Sequence, residues 1–230
     1  AASLSEFERF YESGQLGDKT SIIHCVSCGG TELSAMRAKQ ASLIWSPQSN
    51  VELYGATTDI PTAMNMGINV ALGPDWTPSG TMNQLAEMKC AQRISDTYFD
   101  GRVTNRDIFR MVTDRAAKSI GVEDLVGKVK VGMYADLAVF DGDREFPYNS
   151  LVATSAEQVR AVFISGRLNY GDSDVFGSLN RRNEFCEAIA ICGLEKTICI
   201  RDEDGDSNLT DPDDWPLFGF DDLLNYMTRV

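Results

Sequence analysis

INVALGPDW, running from Ile68 to Trp76, is the stretch on which the fold turns. It opens as a short, mainly apolar run with β-branched members, the pattern of a buried strand. Gly73 and Pro74 then stop the strand and hand the chain to an acid, Asp75, and an aromatic, Trp76. Working backward, Thr58 to Met66 reads as a helix ended by Gly67 at the position after its C-cap. Ser42 to Trp45 is a second short strand, Glu32 to Gln40 is helical, and the apolar run Ser21 to His24 is a first strand. Ahead of it, Ser3-x-x-Glu6 resembles a capping box opening a helix through Phe7, Phe10 and Tyr11 toward Gly14. Successive strands begin about 22 to 26 residues apart with a helix between each, the rhythm of βα units in a parallel sheet or barrel.

Forward of Trp76, helices are expected from Asn83 to Asp96 and from Thr104, with Asp107 three residues on, to Gly121. Beyond Gly121 the period changes to alternation: Ala135 to Phe140 and Val159 to Leu168 look like strands of a separate small β-unit. Arg181 to Cys192 and Asp221 to Met227 are expected to be helices flanking an acidic stretch from Asp202 to Asp214. The organisation predicted is a partial barrel at 1–125, a β-sandwich portion at 126–172, and a helical, acidic extension at 173–230.

The chain's 230 residues are 43% hydrophobic, enough for a sizeable core. Its 21 Lys and Arg stand against 34 Asp and Glu, and a formal charge of −13 repels a phosphate backbone or an anionic membrane surface. No window approaches the roughly 18 apolar residues of a membrane span, and AASLSEFERF lacks the basic flank and apolar run of a secretory signal. A soluble, cytoplasmic protein is expected. The six cysteines are read mostly as reduced thiols, since a chain of this length has core enough without staples. Asp202, Asp204 and Asp206 have calcium-loop spacing, but Ser207 replaces the glycine and Asp213 the terminal glutamate, so a solvated loop is the plainer reading.

In a β/α barrel, functional groups sit where strands end on the C-terminal face. Here the first strand ends in His24, the second runs into Trp45-Ser46-Pro47-Gln48-Ser49-Asn50, and the third ends Gly73-Pro74-Asp75-Trp76. His24 alone could be a hydrogen-bonded core histidine, and Asp75 alone a turn carboxylate; the two on one rim make a candidate site.

Three ordered segments carry a resemblance. IIHC around His24, LIWSPQSNVELYG from Leu43 to Gly55, and NVALGPDWTPSGTMNQLAEMK from Asn69 to Lys89 look like barrel strands six, seven and eight of amidohydrolases in the cytosine-deaminase and s-triazine-hydrolase branch. VGKVKVGMYADLAVFDGD from Val126 to Asp143 is similar to that superfamily's return into its β-sandwich, and VRAVFISGRLNYGD resembles its late strand pair. The fold implied is α/β, the C-terminal portion of a TIM-like (β/α)8 barrel plus part of the flanking sandwich. By the resemblance, Asp75 matches the strand-eight aspartate that binds the metal and takes a proton from water. His24 matches the strand-six histidine, which polarises the substrate or ligates a second metal. Trp45, Ser46, Ser49 and Asn50 match a loop that lines the pocket, with Trp76 beside it; many relatives carry histidine where Trp45 stands.

The resemblance implies a divalent ion, zinc first, with iron or manganese as alternatives. Yet the strand-one His-x-His pair and the strand-five histidine have no counterpart, because His24 is the chain's only histidine. A missing N-terminal half or a partner chain is therefore expected to complete the site, alongside a small-molecule substrate; a homo-oligomer is a further option. A bound divalent ion lowers the pKa of water toward ~7, leaving Asp75 to hold the released proton while the hydroxide attacks an electron-poor carbon. A Cys25, Cys28, His24, Asp75 site is disfavoured, since neighbours on a strand point to opposite faces. The activity implied is hydrolysis of non-peptide carbon–nitrogen bonds, as a ring-amine deaminase or cyclic amidase. The alternatives are a non-catalytic truncated module and an ester or lactone hydrolase.

Overall fold

A computed structural model describes residues 2–179 and 186–199, with side chains from residue 5 onward. The expected helix at Asp221 to Met227 and the acidic loop lie outside these residues. The described chain divides into two compact units, residues 1–133 with 142–153, and residues 134–141 with those from 154 on.

The first unit is a three-stranded parallel sheet with helices around it. In chain order it contains α1 (Ala2–Glu12), β1 (Ser21–Ile23), α2 (Gly30–Lys39), β2 (Ser42–Trp45), α3 (Pro47–Tyr54), α4 (Ile60–Asn65), β3 (Asn69–Leu72), α5 (Gln84–Tyr98), α6 (Asn105–Met111), α7 (Asp114–Ser119) and α8 (Pro147–Ala153). The strand order is β1-β2-β3, with Ile22 opposite Leu43 and Leu43 opposite Val70. Ser42, Leu43 and Trp45 are buried on both faces of the central strand, as expected where helices cover a parallel sheet. The core joins these strands to Leu33 and Met36 of α2, Ile60 of α4, Met88 and Ala91 of α5, and Ile108 of α6.

The N-terminal end of the sheet is closed by α7. The Ser21 hydroxyl donates to the Ser119 carbonyl (2.6 Å), and the Asn69 amide donates to the Arg115 carbonyl (3.0 Å). The opposite end is where the chain leaves each strand, and the functional residues stand there.

Several expectations are corrected. Helix α1 begins at Ala2, so Ser3 lies inside it rather than capping it. The polar run after Trp45 is a helix, not a loop: Pro47 has the fixed φ suited to a first turn, and α3 follows at once. The helix capped by Thr104 and Asp107 stops at Met111, and a second starts at Asp114. Helix α8 was not expected.

The second unit contains β4 (Leu137–Phe140), β5 (Val159–Ile164), β6 (Arg167–Asp172), α9 (Ser173–Ser178), β7 (Cys186–Ile191) and β8 (Leu194–Cys199). They form an antiparallel sheet of order β4-β5-β6-β8-β7. The run from Val159 to Asp172, similar in sequence to a strand pair, is a hairpin folded at Ser165 and Gly166, both at positive φ. The helix expected over Arg181 to Cys192 is instead strand β7 from Cys186 onward: it pairs with β8 through a turn at Cys192 and Gly193, again both at positive φ. A fully buried Lys196 stitches this hairpin to its neighbours, donating to the Glu157 and Val159 carbonyls (2.8 and 2.9 Å) and to Asp172.

The expected reduced thiols are corrected as well. Cys25 pairs with Cys28, and Cys186 with Cys199. Both bridges are local: the first spans one turn, and the second joins directly opposed positions of β7 and β8. Cys90 and Cys192 are free thiols.

Candidate active site

His24 follows β1 directly, and its backbone turns sharply there. Its φ of 65° and that of Cys25 at 52° lie in the left-handed region, unusual for residues bearing a Cβ. The Cys25 N–H reaches back to the Ile23 carbonyl (2.8 Å), closing a three-residue turn around His24. The His24 N–H donates to the Ile44 carbonyl (3.1 Å), extending the parallel ladder, and Thr58 Oγ1 donates to the His24 carbonyl. Strain of this kind persists only where surrounding contacts over-determine it.

Asp75 lies beyond Gly73, whose N–H continues the ladder to the Trp45 carbonyl (3.0 Å). The loop after it folds back through Gly80, whose N–H donates to the Trp76 carbonyl (2.8 Å). A Cβ at Gly80 would stand 2.8 Å from the Asp75 carbonyl oxygen, so this return requires glycine.

The two side chains meet. His24 Nε2 lies 3.5 Å from Asp75 Oδ2, with both side chains about a quarter exposed. Each is gripped from α3. Ser49 Oγ donates to Asp75 Oδ2 (2.6 Å), and Asn50 Oδ1 contacts His24 Nδ1 (2.8 Å). Asn50 in turn donates through Nδ2 to Thr57 Oγ1 (3.3 Å), which fixes its oxygen toward the imidazole. The hydrogen-bond network therefore assigns the proton to Nδ1 and turns Nε2 toward the carboxylate. Asp75 Oδ1 accepts from the Trp76 N–H (2.8 Å). The Ser49 hydroxyl foremost, then the Trp76 N–H, hold the Asp75 carboxyl below its usual range despite partial burial, with a smaller contribution from His24.

Tyr54, at the end of α3, meets His24 edge to face at 5.9 Å. A mainly apolar groove of about 520 Å³ opens beside them, lined by Phe7, Phe10, Ile22, His24 and Tyr54 among others.

Of the residues expected to line a pocket, only Trp76 is well exposed, at 67%. Trp45 is corrected outright. It is fully buried, its indole N–H donates to Thr57 Oγ1 (2.9 Å), and its ring lies 6.1 Å from Phe99, so it is core and not pocket wall. Ser46 is likewise buried. Ser49 and Asn50 face Asp75 and His24 and are buried behind them, so they orient the pair. Sequence reading passed over Glu87, Thr81 and Tyr54. Glu87 stands in the first turn of α5, where an acid complements the helix dipole, and no local periodicity marks it as buried.

His24 Nε2 and Asp75 Oδ2 are spaced as two donors of a tetrahedral zinc are, since ligand distances near ~2.0–2.1 Å place neighbouring donors roughly 3.3 Å apart. They are two donors and not a set: among the described residues no group of three or more His, Cys, Asp and Glu side chains could hold an ion. The disulfide removes Cys25 and Cys28 as thiolate donors. The residues present supply at most two of the donors that a metal centre needs.

Residues 3–168 match the amidohydrolase family. A 5-methylthioadenosine/S-adenosylhomocysteine deaminase of Syntrophus aciditrophicus is 27% identical over 167 residues, covering 68% of this chain and 38% of that protein. Among solved structures, an adenosine deaminase from Xanthomonas campestris with bound zinc superposes with a TM-score of 0.65 at 20% identity, over 70% of this chain and 39% of that one. An atrazine chlorohydrolase from Arthrobacter aurescens complexed with zinc gives a TM-score of 0.60 at 21% identity, over 70% of this chain and 38% of that one. The chain thus spans about two fifths of the length of such relatives, and the likeness to these structures extends to a fold of the TIM-barrel type. Among the described residues no helix is long and apolar enough to cross a membrane. Parallel βα units, an imidazole and a carboxylate meeting at their C-terminal ends, and a match over most of the sequence together make this chain a member of the amidohydrolase family.

Proposed function

We propose that this chain contributes barrel strands six to eight, as β1, β2 and β3, to a metal-dependent hydrolase of non-peptide carbon–nitrogen bonds, of deaminase or cyclic amidase type. The observation that carries the reading is the His24 Nε2 to Asp75 Oδ2 approach, with each group held from behind by α3. The names of similar proteins, deaminases for 5-methylthioadenosine and adenosine, point to an amino group on an electron-poor heterocycle as the substrate feature.

Asp75 would be a donor to a divalent ion, zinc first, while His24 beside it would either polarise the substrate or ligate a second ion, with the remaining ligands supplied by sequence outside this chain or by a partner chain. When bound, such an ion supplies an acidified water as the nucleophile. The roles of this chain's residues follow from their partners. Asp75, an anion kept ionised by Ser49 and Trp76, accepts the proton of the attacking water and returns it to the departing amine. The carbon exchanges its C–N bond for C–O, and ammonia leaves. His24, with Nδ1 committed to Asn50, presents Nε2 to the reacting centre. Domain limits near 125 and 172 belong to the same proposal.

The test is a panel of aminopurines, cyclic amides and lactones given to the complete, metal-loaded protein. Ammonia release matching substrate loss supports the reading. Exclusive lactone opening assigns the ester-hydrolase alternative, and a loaded but inert assembly assigns a non-catalytic module.

A further inference from the structure

Glu87 has no place in the chemistry above, yet it is a fully buried carboxylate set among the apolar residues Met88, Cys90 and Ala91 of α5. Burying an acid is costly unless its oxygens are satisfied. Burial raises its pKa, with Thr81 and the Gln48 N–H opposing that shift. Packing alone would be served by a leucine.

Its partners explain its presence. Glu87 Oε1 accepts the Gln48 N–H (3.2 Å), and Oε2 accepts the Thr81 hydroxyl. Gln48 lies in the first turn of α3, immediately before Ser49 and Asn50, the residues that grip Asp75 and His24. Thr81 immediately follows Gly80, where the loop from Asp75 folds back against the Asp75 backbone. One carboxylate thus joins the helix that orients both functional side chains to the loop that carries one of them.

We propose that Glu87 is a positioning residue that sets the separation of His24 and Asp75 by clamping the first turn of α3 to the loop 75–81. The inference rests on the reading of that pair as the functional site, but its readout does not need turnover. Glutamine at this position keeps an acceptor for the Gln48 N–H, and the Thr81 hydroxyl can rotate to accept from the new amide. Leucine removes both bonds.

His24 is the chain's only histidine, so its ring nitrogen signals are identified by nuclear magnetic resonance of the full chain without ambiguity. At one fixed pH, Glu87→Leu should move and broaden those signals, while Glu87→Gln should leave them close to the parent. Thr81→Val, which removes one hydroxyl at a half-buried position, should move them in the same direction and serves if the leucine variant does not fold. A lowered melting temperature with unmoved His24 signals in either variant would overturn the clamp. So would a Glu87→Gln spectrum as displaced as that of Glu87→Leu, because charge and not geometry would then be responsible. In the complete protein, Glu87→Leu should lower kcat about 10- to 100-fold with a smaller change in KM, and Glu87→Gln should restore it. An inert complete protein with displaced His24 signals would count against the proposed function and leave the clamp standing.

Discussion

His24 Nε2 and Asp75 Oδ2 lie 3.5 Å apart although a whole strand, β2, separates the strands that deliver them. The gap is bridged by α3, which begins as β2 ends and lays Ser49 and Asn50 under the pair. A helix packed on the end of its own strand is a stiffer support than the loop that sequence alone suggested.

Ser49→Ala removes the main hydrogen bond that keeps Asp75 ionised. We expect a loss of about 1–2 kcal/mol of stability near neutral pH, read by urea denaturation. The sign of the pH dependence follows from the lowered folded pKa: Asp75's contribution is complete above its usual value of 3.8 and disappears as pH falls through the folded value. The variant should therefore show a smaller acid-dependent fall in stability below that value than the parent.

Glu87 acts in the opposite direction. Its folded pKa is raised above the usual 4.5, so stability from this group declines as pH rises from there through the folded value. Glu87→Gln removes that decline, and the difference in unfolding free energy between variant and parent should change with pH above about 4.5. A constant difference would show that Glu87 titrates alike in both states.

Gly80→Ala places a methyl against the Asp75 backbone, where no flexible side chain can yield. The loop must shift, and Asp75 with it. The expected result is a folded chain with displaced His24 ring signals; an unchanged spectrum would mean that the loop does not position Asp75.

Trp45 tests the correction from pocket to core. Trp45→Ala should cost about 3–5 kcal/mol, read by chemical denaturation, as for other large buried aromatics. Trp45→Phe, milder but without the donor to Thr57, should lower stability while leaving KM of the complete protein near its parent value.

The parallel βα rhythm was legible because each strand is a short apolar run ended by polar residues, and the helices before β3 and after it carry their own stop and start signals. The helix α3 was not, because Ser46, Pro47 and Ser49 have the composition of a turn, and only their burial, with α3 packed on α5, marks the helix as part of the core. Strand β7 was misread because Glu187, Ala188, Ile189 and Ala190 suit either period; what decides is the pairing with β8 across the Cys192–Gly193 turn. His24 and Asp75 could be picked out as strand-end residues. The supports behind them could not, since the bonds of Glu87 to Gln48 and Thr81 join distant positions that no local pattern links.

The claim that Asp75 serves as a metal ligand beside His24 is tested most directly by the divalent-ion content of the complete protein after dialysis. We expect at least about one ion per assembly in the parent, and a content several-fold lower in Asp75→Ala, with folding retained by circular dichroism. Full occupancy in Asp75→Ala, or a well-folded parent that holds no ion, would contradict the account.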